Sequence, residues 1–116
     1  MSRHDAGVTL AQLLDFIREA RQLAAGTAIE KILHDQLTLR AFERGMELVG
    51  EAVKRLPGDV KEEAPEIPWK KISGMRDVIS HGYEDVQYEV LWDAVQLQFP
   101  ELEKTVLRLL DKYRST

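Results

Sequence analysis

The 116-residue chain contains no cysteine. Disulfides, thiolate nucleophiles, zinc-thiolate sites and Cys-ligated clusters are therefore excluded, and the composition fits a reducing compartment. Long apolar runs are missing as well. The uninterrupted ones span only a few residues, where a bilayer crossing needs about 20, and no basic start leads into an apolar run that would direct secretion. The expected location is the cytoplasm, away from membranes. Positive charge is not in excess either: 16 Lys plus Arg stand against 20 Asp plus Glu, for a net charge of −4. Residues 59–116 carry 8 basic and 12 acidic residues. Broad coating of nucleic acid rests on many cations set against phosphates and is disfavoured, but a small focused basic site stays open. No glycine-rich phosphate loop follows a strand, which leaves ATP binding by this chain itself with little support.

The 44% hydrophobic and 31% charged residues that are present suit an ordinary globule, and the length suits one domain over residues 1–116. No repeat or low-complexity tract divides it. Helical patterns are separated by Gly and Pro. The first is expected to begin near a Thr9 cap, to present Leu10, Leu13, Leu14, Ile17, Ala20 and Leu23 on one stripe, and to end at Gly26. Thr27 with Glu30 three residues on has the form of a capping box and predicts a second, long helix. Its face runs through Ile29, Ile32, Leu33, Phe42, Met46, Val49, Val53 and Leu56, with a break possible around His34–Gln36 and a stop at Pro57-Gly58.

Residues 57–70 hold three of the four prolines together with Asp59, Glu62, Glu63 and Glu66, and read as a connection with at most one short helical turn at Val60–Ala64. Trp69 is its expected anchor. A third helix is predicted from Trp69 or Ile72 toward Gly82 and a fourth from Gln87 or Tyr88 to a break near Pro100. A fifth follows, with Leu102, Val106, Leu109, Leu110 and Tyr113 on its stripe. No strand pattern competes. The fold class is all-α, an antiparallel bundle of four or five helices.

Chemistry concentrates in Met75-Arg76-Asp77-Val78-Ile79-Ser80-His81-Gly82-Tyr83. Arg76 and Tyr83 are seven residues apart, which at about 100° per residue falls roughly 20° short of two turns. His81 lies about 140° away from Arg76, so a site composed between two helices or two subunits is easier to build than one on a single ridge. A guanidinium grips phosphate oxygens and an imidazole exchanges protons near neutral pH, a pair suited to attack of an RNA 2′-hydroxyl on the adjacent phosphate. By spacing alone the same residues also make ordinary caps and surface pairs: Arg76 with Asp77 or another carboxylate, and His81 at a helix end.

Glu51 has two readings. It can pair with Arg55 four residues later on the surface, or point inward and orient Arg76. Gly50 beside it costs about 1 kcal/mol in a helix relative to Ala, which close packing would explain. His4 and His34 lack the company a metal site needs. Tyr88, Trp92 and Phe99 have the spacing of core or dimer packing, since no cation interleaves them as in a base-stacking row. Glu84, Asp85 and Glu89 read as a solvated face, with recruitment of a basic partner or of ATP-bound magnesium as the sharper alternative.

Val49-Gly50-Glu51-Ala52, Glu66-Ile67-Pro68-Trp69, Gly74-Met75-Arg76-Asp77, His81-Gly82-Tyr83 and Val90-Leu91-Trp92 together resemble the HepT-like toxin family of the HEPN superfamily, over nearly the whole chain. The family's Arg, polar residue, three variable positions and His fall on Arg76, Asp77, Val78-Ile79-Ser80 and His81, and its following Tyr on Tyr83. The resemblance implies a metal-independent endoribonuclease with Arg76 and His81 in the catalytic set, Asp77 supporting them and a homodimer bringing two sets together. It further implies a type VII toxin-antitoxin pair, in which an MntA-type nucleotidyltransferase antitoxin, using ATP and magnesium, adenylylates Tyr83. No cofactor is implied for cleavage. An alternative treats such chains as non-catalytic helical substrate-binding partners of a nucleotidyltransferase.

Overall fold

A computed structural model describes residues 2–80 and 87–114. Every regular element among the described residues is helical. Helix α1 (Arg3–Ala24) begins about two turns earlier than its apolar stripe suggests, because Ser2 rather than Thr9 caps it: the Asp5 amide donates to Ser2 Oγ at 3.1 Å. Thr9 is instead buried within the helix, one position before Leu10 on the inward face. Past its end, Gly26 turns the chain at φ 70°, a conformation that costs glycine little.

The expected capping box at Thr27 does not form. Helix α2 (Ile29–His34) starts behind Ala28 with no side-chain cap, and the long pattern divides at Asp35. That residue ends α2 and caps α3 (Gln36–Arg55), its carboxylate accepting from the Leu37 amide at 3.2 Å and the Thr38 hydroxyl at 2.7 Å. The Thr38 hydrogen bond is the main reason the Asp35 carboxyl titrates below its usual value; the Thr38 and Leu37 amides act in the same direction, against a smaller desolvation effect.

Helix α4 (Gly58–Glu62) is the single short turn expected in the connection. The indole N–H of Trp69 donates to the carbonyls of Lys61 at 3.1 Å and Ala64 at 2.9 Å, pinning the end of α4 to the start of α5 (Trp69–Ser73). The predicted third helix is two pieces: Gly74 separates α5 from α6 (Met75–Ser80). Two acidic residues of the connection tie it to the last helix. Glu63 accepts from the Tyr113 hydroxyl at 2.6 Å and pairs with Lys112, and Glu66 lies 3.8 Å from Arg108.

The predicted break near Pro100 is absent. Helix α7 (Tyr88–Asp93) passes through a π-helical segment, Ala94–Gln98, directly into α8 (Phe99–Arg114). Within that segment the Phe99 amide reaches back five residues to the Ala94 carbonyl. A proline ring collides with the carbonyl four residues before it and offers no N–H, so the wider π register next to Pro100 lets the helical path continue.

Helix α1 packs against α3 and α8, and α3 also carries α5 and α6. Directions follow from contacts at the ends. Arg3 at the start of α1 donates to the Lys112 carbonyl near the end of α8, while Arg21 near the end of α1 meets Glu103 near the start of α8; the two run antiparallel. Arg55 of α3 reaches Gln12 of α1, and Gly45 lies against Ala20, so that pair is antiparallel too. The enclosed core includes Leu10, Leu13, Ile17, Phe42, Met46, Val49, Val53, Phe99, Leu102, Val106 and Leu109. Phe99 is fully buried, Trp92 packs on Phe42 with ring centroids 6.3 Å apart, and the Tyr88 hydroxyl donates to Glu43 at 2.6 Å. These three aromatics are packing groups. No helix among the described residues is long and apolar enough to cross a membrane.

Candidate functional site

The α5–α6 segment presents one face inward: Ile72, Met75 and Ile79 are buried, at spacings of three and four. The residues between them, Arg76, Asp77 and Val78, are consequently left on the surface. Gly50 sets how close that segment lies to α3. A Cβ at residue 50 would stand 3.3 Å from the carbonyl oxygens of Ile72 and Ser73 and 3.4 Å from the Arg76 amide nitrogen. The absence of a side chain there, already suggested by the cost of glycine in a helix, lets the backbone of α6 rest on α3 beside Glu51.

Close approach decides Glu51's partner. Its carboxylate takes the Arg76 guanidinium, Nε to Oε1 at 3.5 Å, and not the Arg55 one turn along its own helix. Arg55 hydrogen-bonds to Gln12 Oε1 at 3.4 Å instead. The Arg76 side chain remains 48% exposed and Glu51 27%, so the pair orients the guanidinium without sealing it from solvent. An ion pair this open contributes about 0–1 kcal/mol to stability; its effect is chiefly on where the charge stands.

Glu51, Lys54 and Arg55 of α3 and Arg76 of α6 line a shallow cleft of about 270 Å³. All four side chains are charged. Lys54 belongs to no sequence motif, but its position three residues after Glu51 places it on the same helical face, and that spacing is the one sequence signal for it. Asp77 is exposed next to Arg76. His81 and Tyr83 lie outside the described residues, as do Glu84 and Asp85. Among the described residues no group of three or more His, Asp or Glu side chains could hold a metal ion. His4 is exposed at the start of α1 and His34 ends α2, each remote in sequence from the cleft.

Comparison with known proteins gives this arrangement a family context. The model of the family described as ribonuclease HepT-like matches residues 13–109, which include α3, α5, α6 and all four residues of the cleft. A Caldanaerobacter subterraneus subsp. tengcongensis protein carrying an RNase assignment is 42% identical over 75% of this chain and 78% of its own length. A Thermococcus cleftensis protein assigned as a ribonuclease HepT is 37% identical over 81% of this chain and 83% of its own. A Methanocaldococcus jannaschii protein with an RNase assignment is 29% identical over 95% of this chain and 91% of its own. No solved structure matches the chain. With a family model spanning most of the sequence, and relatives above 30% identity covering more than two thirds of it, the chain belongs to the ribonuclease HepT-like family.

Proposed function

We propose that the chain is an endoribonuclease toxin whose reacting phosphate is held by Arg76 and whose protons are moved by His81. The carrying observation is the Arg76 guanidinium, kept solvent-accessible by a buried Ile72–Met75–Ile79 face and oriented at 3.5 Å by Glu51 in an open, charged cleft. Family membership supports the same reading.

Cleavage starts when His81 takes the proton of a ribose 2′-hydroxyl. The oxygen attacks the adjacent phosphorus, the bond to the 5′-oxygen breaks, and that oxygen takes the proton from the now protonated His81, which gives a cyclic phosphate and a 5′-hydroxyl and returns the imidazole to its neutral form. Negative charge grows on the phosphoryl oxygens at the transition state. Arg76 neutralises it, and a contact to Glu51 through Nε leaves the two terminal amino groups of the fork for those oxygens. Asp77 supports the set. No metal takes part, and a homodimer brings two sets together.

Control belongs to Tyr83. In this reading its phenolic oxygen attacks the α-phosphorus of ATP in a nucleotidyltransferase antitoxin of the MntA type. The α–β bond breaks, pyrophosphate leaves with its magnesium, and the phenolic proton is lost. The AMP left behind places bulk and negative charge beside Arg76 and His81, where RNA must sit. Replacing the 2′-hydroxyls of a cleavable RNA by hydrogen is expected to abolish cutting; undiminished cutting refutes the nucleophile. Intact mass after incubation with the antitoxin and ATP is expected to show an adenylyl group mapping to Tyr83, and its absence removes the control mechanism.

A further inference from the structure

The geometry points to a second phosphate subsite, formed by Lys54 and Arg55 of α3, that holds the RNA backbone one nucleotide step from the phosphate at Arg76. It rests on the ribonuclease reading and adds to it the two residues that grip the strand beyond the scissile bond.

The first argument is charge. Three cations and one carboxylate line the cleft, so it holds a net two positive charges in a chain whose net charge is −4. Glu51 is committed to Arg76 at 3.5 Å and offsets that guanidinium in the resting protein. Lys54 and Arg55 have no such carboxylate among the described residues: Arg55 donates to the neutral amide oxygen of Gln12 at 3.4 Å, and Lys54 makes no ion pair. Elsewhere the exposed arginines Arg18, Arg44 and Arg108 each face a glutamate, while Arg40 and Arg114 form no ion pair among the described residues; what sets Lys54 and Arg55 apart is that they line a common cleft with Arg76. Cations left uncompensated on the wall of one cleft attract a second anionic group.

The second argument is spacing. Lys54 and Arg55 follow Glu51 by three and four residues, about one helical turn or ~5.4 Å along α3, on the face that meets Arg76. That offset suits neighbouring phosphates on one strand. Both side chains are exposed and long, while the residues beside them, Val53 and Leu56, are buried and fix the face of α3 that they occupy.

Phosphate contacts of this kind release counterions, so they are read in the salt dependence of binding. For single strands the slope of log K against log salt is about −0.7 per phosphate neutralised. The test uses the full chain and a pool of mixed-sequence single-stranded RNA, measured twice: affinity by anisotropy with 2′-deoxy, uncleavable oligonucleotides over a salt series, and cleavage with the all-ribose pool. Lys54→Gln and Arg55→Gln are each expected to flatten the slope by about 0.7 and to raise KM more than they lower kcat. Lys104→Gln, an exposed cation on α8, controls for net charge and is expected to leave the slope unchanged. Melting temperatures equal to wild type exclude a folding effect. A wild-type protein that cuts RNA, with Lys54 and Arg55 variants keeping its slope and KM, overturns the subsite alone. A wild-type protein that neither binds nor cuts the pool overturns the ribonuclease reading and the subsite with it.

Discussion

The face where α1 meets α8 and the face where α3 meets α5 and α6 are built by opposite means. Along the first, two long helices bury leucine, isoleucine and valine side chains, and polar clasps close both ends: Arg18 and Arg21 on Glu103, and Arg3 on the Lys112 carbonyl and over the Tyr113 ring at 4.7 Å. Along the second, two short helices approach α3 through backbone at Gly50, and charged side chains gather at the rim. Side-chain burial supplies most of the stability of such a fold, so the first face can hold the bundle together without reference to function. The second face brings a guanidinium to a defined place on a surface kept open. The two faces, joined through α3, thus differ in what closes them: long side-chain stripes at one, and a close backbone approach with an open charged rim at the other.

This division can be broken at several points. The largest effect is expected from Arg76→Ala, which removes the charge proposed to hold the reacting phosphate: RNA turnover should fall about 100- to 1000-fold, with a melting temperature within error of wild type because the side chain is half exposed. A parallel loss of stability would mean that Arg76 belongs to the scaffold. Gly50→Val drives a branched side chain into the Ile72 and Ser73 carbonyls. It should cost about 1–3 kcal/mol in urea unfolding and impair turnover as well, since α6 must move away from Glu51. If stability falls while turnover holds, the close approach matters to packing alone. Glu51→Gln keeps the size and removes the charge, and is expected to reduce turnover only a few-fold, in keeping with an exposed ion pair.

The smallest effect lies at the other face, and pH reveals it. Burial by itself would raise the Glu103 carboxyl, but hydrogen bonds from Arg21 and Arg18 and their charges outweigh it and hold the group below its ordinary 4.5. A depressed carboxyl stabilises the fold above its unfolded value and loses that contribution as pH falls through the folded one. Acid unfolding below pH 4.5 should therefore be slightly less steep in Glu103→Gln than in wild type, by under about 1 kcal/mol. Tyr88 has the opposite sign. Its hydrogen bond to Glu43, then burial and the Glu43 charge, push it from 10.0 up to about 12, so its contribution is present below pH 10.0 and disappears as pH rises through about 12. Tyr88→Phe should lessen that alkaline loss in a pH series of melting temperatures.

Much of the first face was legible in order of residues. The stripe Leu10, Leu13, Leu14, Ile17 and Ala20 is the buried side of α1, and the stripe from Leu102 to Leu110 is that of α8, because periodicity in a helix states directly which side turns inward. Trp69 was legible as an anchor for a similar reason: a large ring with one donor, amid prolines, has to be buried with its N–H satisfied. Helix ends were harder to place. Ser2, Thr9 and Thr27 are all competent caps, and the choice among them depends on how far the chain stays packed in helical form on either side. The π register before Pro100 could not be read locally either, since a proline that ends one helix in isolation can sit in the first turn of another.

The linear chain by itself determined an all-helical scaffold and offered candidates for chemistry. The hydrophobic periods specify the scaffold, and Arg76, Asp77, His81 and Tyr83 stand in a short motif of residue types suited to phosphate binding and proton transfer. Only the tertiary structure decided that Glu51 turns to Arg76 and not to Arg55, and that Lys54 shares their cleft. The reason is physical. Periodicity tells a side chain which way to face, but the partner it meets depends on how closely two helices approach, and here that distance is set by the missing side chain of Gly50.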